Sequence, residues 1–437
     1  MDAMKAAPGA ARGSVGEVDF DRQARGLGGI VVKGTLLSLI TFGIYRFWYI
    51  TNLRRFFWSR TVVAGSPAEY LGRGKELFLG FLVALAILIP VYVGLFVVGF
   101  WEPSLAPFAG PISFVFLFLL GQYAIYRGRR YRCSRTRWRG IRLAQDGSAL
   151  TYVAMATGWW FLTILTLGLA FPFMRASLER YRMNHTLIGD SRLSSTATGR
   201  SVLLPWLLFY LLGVVPILGI AVSFFATHGL DIPGDLFVSK EGGDIDDWTL
   251  NPAYSTPAFE TMLKVFGMIL AAALPAALLL IPYYRARETR AFMNAASLGE
   301  ARLISSLRAR QFYWPYILYF LAVIGFTIAI AVVFGIVFAV LAGFAGLDSA
   351  DTGGFSPLHA LIAVGAFVLY LGSILLFAVL YIRIVTVRLW HAVTATTQIA
   401  DVEALEAVLA STRRPGSALN EGLADALDVG GAIEIGF

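Results

Sequence analysis

The chain has 437 residues, of which 57% are hydrophobic and 15% charged, with a mean hydropathy of +0.68 and a net charge of +8. Charged residues make up about 25% of an ordinary soluble domain, so the composition excludes one. Its apolar runs are long enough to be membrane spans and lack the alternation of outer-membrane barrel strands, which excludes that class too.

In chain order, residues 1–26 carry charges followed by no apolar core, the pattern of a cytoplasmic tail and not of a cleavable leader. Gly34–Tyr45 is free of charge between Lys33 and Arg46, but it is too short to cross a bilayer. A basic stretch at 46–75 follows. Leu77–Phe100 and Phe108–Tyr126 contain no Asp, Glu, Lys or Arg and each could span, with a base-poor connection at 101–107. The segment 127–142 then carries eight arginines and no acid. Ala149–Met174 is long enough to cross, yet it has arginine-rich flanks on both sides. Its "LTILTLG" at Leu162 matches "LSLITFG" at Leu37, and both segments are read as re-entrant or interfacial.

Beyond the basic stretch 175–200, Ser201–Thr227 and Val265–Tyr284 are two further charge-free runs. Between them, 227–260 holds Asp231, Asp235, Glu241, Asp244, Asp246, Asp247 and Glu260 against a single Lys240. A basic stretch at 285–310 leads to Phe312–Phe344 and Pro357–Ile382, joined by base-poor 345–356. The tail "IADVEALEAVLAS" sets Ile399, Val402, Leu405, Val408 and Leu409 on one helical face, which predicts a short amphipathic helix.

Loops rich in Lys and Arg stay in the cytoplasm. The expected fold is therefore an all-α polytopic membrane protein with six full transmembrane helices in three outward hairpins (77–126, 201–284, 312–382) and two re-entrant or short segments. Eight spans is the alternative. The expected organisation is a cytoplasmic tail 1–26, a transmembrane domain 27–382 with an extracytoplasmic loop 227–260, and a cytoplasmic tail 383–437.

One arginine-rich phrase recurs. "RYRCSRTRWRGIRL" from Arg130 and "RYRMNHTLIGDSRL" from Arg180 share Arg, Tyr, Arg, Thr, Arg and Leu at one offset. "FPFMRASLERYRMNHTLIGDSRL" (171–193) aligns with "IPYYRARETRAFMNAASLGEARL" (281–303). Weaker echoes lie at Arg55 and Thr61, and at Arg383, Arg388 and Thr394. The intervals are irregular, so this is not a solenoid. Gly189 and Asp190 read as a turn. Arginine forks match phosphate bidentately, so Arg130, Arg132, Arg175, Arg180, Arg182, Arg192, Arg285 and Arg290 are candidate ligands for an anion or anionic lipid. Positive-inside topology alone is the competing account of the same arginines.

The strings "LITFGIYRFWYITNLRRFFWSRTVVAG", "EYLGRGKELFLGFLVALAIL" and "YRCSRTRWRGIRL", with "EGLADALDVG" near the end, resemble the YjgN-like family of bacterial inner-membrane proteins. The resemblance implies a multi-pass inner-membrane protein. That family has no known function, so it implies no catalytic residue.

No metal-ligand spacing, catalytic motif or cofactor signature is present, and "GRGKEL" lacks the spacing of a phosphate loop. The single Cys133 rules out an internal disulfide. Glu179, His185 and Asp190 form the one enzyme-like grouping. Pro90, Pro205, Pro216, Pro275 and Pro282 lie inside spans, where kinks border cavities. The leading expectation is a handler or transporter of an amphipathic anion or lipid without ion coupling. A scaffold holding anionic lipid is second, and a lipid-modifying enzyme third. The expected partners are anionic phospholipids of the membrane and no nucleic acid, with a homo-oligomer open.

Overall fold

A computed structural model describes residues 14–228, 237–239, 248–251, 257–345 and 357–409. The acidic connection falls mostly outside them, apart from a two-stranded ladder of β8 (Phe237–Ser239) on β9 (Trp248–Leu250). Residues 410–437 of the expected tail also lie outside.

The chain repeats one unit in which a helix runs into a two-stranded hairpin and a second helix leads away. The first unit is α2 (Arg46–Ser59), β2 (Thr61–Val63), β3 (Ser66–Tyr70) and α3 (Gly74–Trp101). The second is α4 (Ala106–Ser134), β4 (Thr136–Trp138), β5 (Ile141–Gln145) and α5 (Ala149–Leu165). The third is α6 (Phe171–Asn184), β6 (Thr186–Ile188), β7 (Ser191–Ser195) and α7 (Arg200–His228). The fourth is α8 (Pro257–Asn294), β10 (Ala296–Leu298), β11 (Ala301–Ser305) and α9 (Ala309–Ala345). The fifth is split between the two ends of the described chain. After α10 (Pro357–Leu380), α11 (Val387–Ala395) enters β12 (Thr397–Ala400), which pairs with β1 (Val15–Phe20), and β1 leads into α1 (Leu27–Ile40).

The ten strands close into an antiparallel barrel in the order β1-β12-β11-β10-β7-β6-β5-β4-β3-β2, with β2 back on β1. This overturns the all-α expectation. Strands of three to six residues are far shorter than the roughly 9–11 needed to cross a bilayer, so the barrel does not span one. They also fall inside the arginine-rich phrases, where charge hides an alternation already too brief to register. Each phrase is a helix end followed by a hairpin. In Ala64–Gly65 and Arg139–Gly140 both central residues have positive φ, the type I′ pattern. In the other two hairpins only the glycine does, at Gly189 and Gly299, as in type II′.

The recurrent threonine has a structural job. Thr61, Thr136, Thr186 and Thr397 each donate the hydroxyl to the carbonyl four residues back, at 2.7–2.8 Å, satisfying a helix-end acceptor where the strand begins. In the last unit the equivalent is thus Thr397 and not Thr394, whose hydroxyl bonds within its own helix to Trp390 and His391. Asn184 and Asn294, in the shared Met-Asn pair, accept from the backbone N–H of Ser195 and Ser305 at 2.8 and 2.6 Å.

Trp138, Val18, Leu298 and Ile399 fill the barrel. The expected amphipathic tail helix is instead β12 followed by a short 3-10 turn at Val402–Leu405, because Ile399 belongs to a strand. Leu405 and Val408 close one mouth of the barrel, while Leu409 is exposed. That strap sits tightly. A Cβ on Gly189 would strike the Leu409 carbonyl, and Asp190 bonds Leu409 in both directions.

At the other mouth, Phe20, Phe57, Trp58 and Trp390 form an aromatic node with ring centroids 5.4–6.3 Å apart. The indole of Trp58 donates to Thr136 at 3.0 Å and that of Trp390 to Thr61 at 2.9 Å, so two helix-end threonines also tie neighbouring units together.

Among the described residues, five helices are long and apolar enough to cross a membrane, or six if the pair Lys264–Ala273 and Leu278–Asn294, bent by 40°, counts as one. Pro275 lies in that break, where it removes a helix hydrogen bond. α1 and α5, of 14 and 17 residues, reach only about 21 and 26 Å, short of a roughly 30 Å hydrocarbon core, and both double back. Their tips are near-copies. Thr41 and Thr166 donate to Leu37 and Leu162, and they accept from the N–H of Tyr45 and Ala170. Phe42 and Leu167 are left-handed.

Replacing Trp390 with Phe keeps the ring stack and removes the N–H donated to Thr61, at an expected cost of about 1 kcal/mol. Chemical denaturation in detergent should show Trp390→Phe/Thr61→Val to cost less than the two single changes summed. Strict additivity would mean the two side chains are not coupled.

Candidate functional site

Below the aromatic mouth, four of the five helices that enter the barrel, α4, α6, α8 and α11, line a cavity of about 1060 Å³ together with α9. It is built from equivalent positions of the repeat. Counting back from the helix-end residues Thr136, Thr186, Ala296 and Thr397, the same places supply Ile125, Arg175, Arg285 and Thr386 at the deepest level. Arg129, Glu179, Thr289 and Trp390 form the next level, and Arg132, Arg182, Phe292 and Val393 the one nearest the barrel. Within each helix these residues recur at i, i+4 and i+7, one face of an α-helix. The corresponding face of α2 presents Ile50, Arg54 and Phe57, which are buried in packing and do not line the cavity.

Divergence of the repeat makes this ring lopsided. α4, α6 and α8 contribute five arginines and two glutamates, whereas α11 contributes Leu389, Trp390 and Val393, with Thr386 from the π-helical turn that leads into it. At the depth of the spans the wall becomes apolar surface of α8 and α9. Leu278, Leu279, Phe320 and Leu321 leave 61%, 64%, 64% and 57% of their surface uncovered there. The cavity is charged at one end and greasy at the other.

The two glutamates are committed to arginines. Arg175 reaches across from α6 to α8 and grips Glu288 bidentately, at 2.7 Å and 3.1 Å. The Tyr284 hydroxyl also donates to Glu288, at 3.3 Å, and Arg285 lies 3.5 Å away. Arg182 pairs with Glu179 at 2.5 Å. Burial opposes ionisation of Glu179, but Arg182, Arg129 and Arg175 outweigh it and hold the carboxyl below its usual range. Burial likewise opposes the charge on Arg175, and Glu288 more than restores it. Arg129 has a different environment. Its Nη2 donates to the Met183 thioether at 3.4 Å, a weak acceptor, and its Nε is buried with no hydrogen-bond partner.

Of the arginines expected to bind an anion, Arg132, Arg175, Arg182 and Arg285 meet at this cavity, while Arg130, Arg180, Arg192 and Arg290 do not line it. Arg180 is exposed, and Arg192 grips Asp146 at 2.5 and 3.1 Å on the barrel wall. The enzyme-like grouping is dispersed. Glu179 faces the cavity, the His185 ring packs on Tyr181 at 4.2 Å, and Asp190 holds the strap. Glu69 and Glu76, readable as a charge-balanced surface turn, instead join the first two units, through Arg137 for Glu69 and through Arg135 and Tyr131 for Glu76. Arg129 and Glu288 escaped the sequence reading. Their signal was the constant interval to the helix-end residue of the repeat, visible only once that residue is known to start a strand. Among the described residues no cluster of three or more His, Cys, Asp or Glu side chains could hold a metal ion.

A family model described as "Bacterial protein of unknown function (DUF898)" matches residues 16–426. No curated protein and no solved structure matches the chain.

Arg175→Gln or Glu288→Gln alone strands a buried charge and should each destabilise the protein by about 3 kcal/mol. The double change should cost less than their sum, as read from thermal melts in detergent. A double variant that loses the full sum would sever the proposed link between α6 and α8.

Proposed function

The chain belongs to the DUF898 family of bacterial proteins of unknown function, the YjgN-like family its motifs resemble, and we propose that it binds and handles an amphipathic anion, an anionic phospholipid, in the cavity beneath the barrel. One observation carries this reading. A single cavity joins an arginine-rich collar to uncovered apolar helix surface, the two environments that a charged headgroup and its chains require. The arginines that line it are not all used up by neighbours, as topology signals alone would leave them. Arg129 has only a thioether acceptor and an ion pair's outer field.

In this reading the five long apolar helices sit in the bacterial inner membrane, and the barrel, collar and both ends face the cytoplasm, where the arginine excess belongs. The filled barrel bears on the mode of action. Trp138 and its neighbours fill the barrel with Leu405 and Val408 packed on them, which favours lateral exchange with the bilayer over passage through the barrel. It equally favours the second reading, a scaffold that keeps its lipid. Dispersal of Glu179, His185 and Asp190 counts against a lipid-modifying enzyme.

Native mass spectrometry of the purified protein should find an anionic phospholipid retained by wild type and by Arg180→Gln/Arg290→Gln, and lost from Arg129→Gln/Arg132→Gln. Equal, nonselective lipid on all three would return the arginines to topology. Transfer of labelled lipid between vesicles then separates handling from scaffolding: acceleration by wild type supports handling, and its absence supports the scaffold.

A further inference from the structure

Resting on that reading, we propose that the ligand enters the cavity sideways, through a doorway between α8 and α9. An acyl chain lies along the facing apolar surfaces of the two helices, and the hydrogen bond from Tyr313 to the Leu279 carbonyl is the latch.

The argument begins with where the cavity is open. A side chain that lines a cavity and is also largely uncovered marks an opening. Glu179, Glu288 and Phe292, at the collar, line the cavity and are buried. Leu278 and Leu279 of α8, with Phe320 and Leu321 of α9, line it and are exposed. The cavity is therefore closed at the collar and open between these two helices. At the depth of the spans the surroundings are hydrocarbon, so the opening meets acyl chains. Arg285 stands seven residues, about 10 Å, above Leu278 along α8. A headgroup at the collar thus places the first part of its chain at the opening.

The gap follows from how the two helices are held. The β10–β11 hairpin joins them at the barrel. Below it, α8 leans on α6 and α7. Arg175 grips Glu288, and Tyr284 packs on Phe171 and Trp206 with ring centroids 6.1 and 5.4 Å away. α9 leans the other way. Its Tyr319 meets Tyr381, in the π-helical turn that leads into α11, at 5.3 Å, and its Phe326 meets Phe377 of α10 at 5.6 Å. Each helix has its partners on the side away from the other, so apolar surface is left between them.

A hinge and a latch sit together in this gap. α8 is bent by 40° between Ala273 and Leu278, where Pro275 removes a helix hydrogen bond. Leu279 is the second residue beyond that break, and its carbonyl accepts from the Tyr313 hydroxyl of α9 at 2.5 Å. The bond ties the two helices beside the point where α8 bends most easily. Between membrane helices one such bond is worth a bias of only about threefold. A latch of that strength favours the closed doorway without sealing it.

The test places the full-length protein in bilayers containing phosphatidylglycerol with a diazirine partway along one acyl chain. The bilayers are irradiated and the adducts mapped by mass spectrometry. Every exposed span residue meets bilayer chains, so the comparison is with Phe96 of α3, Phe114 of α4 and Leu204 of α7, which are exposed and do not line the cavity. Adducts at 278–282 and 313–321 should exceed those at the three references, and Arg129→Gln/Arg132→Gln should lose the excess. Even labelling, with anionic lipid still retained by wild type and lost from that variant in native mass spectrometry, would overturn the doorway and leave the lipid-binding reading standing. An excess that persists in the variant would keep the chain site and overturn the arginine collar as its anchor. Even labelling with retention that ignores the arginines would overturn both. The latch is read separately. Tyr313→Phe keeps the ring and loses the hydroxyl, so bound labelled phosphatidylglycerol should exchange with bilayer lipid about threefold faster, with the adduct pattern kept. An unchanged rate would overturn the latch.

Discussion

Strands of three to six residues have almost no independent stability, and an open sheet of them would leave unpaired N–H and C=O groups at each edge. Closure removes the edges. Here it is achieved only because β1 and β12, from opposite ends of the described chain, meet as Val15 with Ala400, Gly16 with Ile399 and Glu17 with Gln398. That ladder fixes where everything else can lie. Five helices feed the barrel, so their ends are held in a ring, and four of them, with α9, leave room between them. The cavity is what remains when the helix ends are held by strands and not by one another.

A ring built from one repeated unit starts out symmetrical, and function needs it not to be. The unit keeps what closure requires: a hydroxyl at the helix end in four copies of five, a two-residue turn, and an asparagine capping the outgoing strand in two of them. It varies where side chains face the axis. Arg129, Glu179, Thr289 and Trp390 occupy one structural position, and so do Arg132, Arg182, Phe292 and Val393. In the first unit Arg54 turns to the Tyr70 hydroxyl at 3.2 Å and is withdrawn from the axis altogether. Charge gathers on three helices and grease on a fourth, so the cavity has a direction that the scaffold lacks.

Much of this was legible in the residues and some of it could not be. Five of the six charge-free runs lie within one long helix and the sixth, Pro357–Ile382, covers α10 and passes two residues beyond it, because apolar length is a strong signal that local context cannot disguise. The matched tips at Thr41 and Thr166 were legible as a pair, since an identical hydrogen-bond pattern demands identical residues. The barrel was hidden by brevity. Thr186–Ile188 is three residues, and its partner Ser191–Ser195 contains Arg192, so neither has the apolar alternation by which strands are recognised. The glycines of the turns were visible, but a turn at a membrane exit and a turn in a hairpin use the same residues. Half of the expected arginine ligands miss the cavity for a related reason. On a helix end, Arg180 and Arg182 are two residues and about 200° apart, and only the partner strand decides which faces inward.

The collar also sets a limit on how the protein can hold together. Five guanidinium groups line one space with two buried carboxylates among them, Glu288 gripped by Arg175 and Glu179 by Arg182. The strands hold these helix ends in place, because the ends cannot drift apart without breaking the barrel. On the proposed reading, this arrangement keeps the arginines in place before any ligand arrives, so an entering anion would meet groups that need no reorganisation. It also links occupancy to stability. A ligand that binds only the closed ring stabilises it by RT ln(1 + [L]/Kd), about 2.7 kcal/mol at one hundred times its dissociation constant. On the proposed reading, the ring is thereby most firmly closed when it is filled.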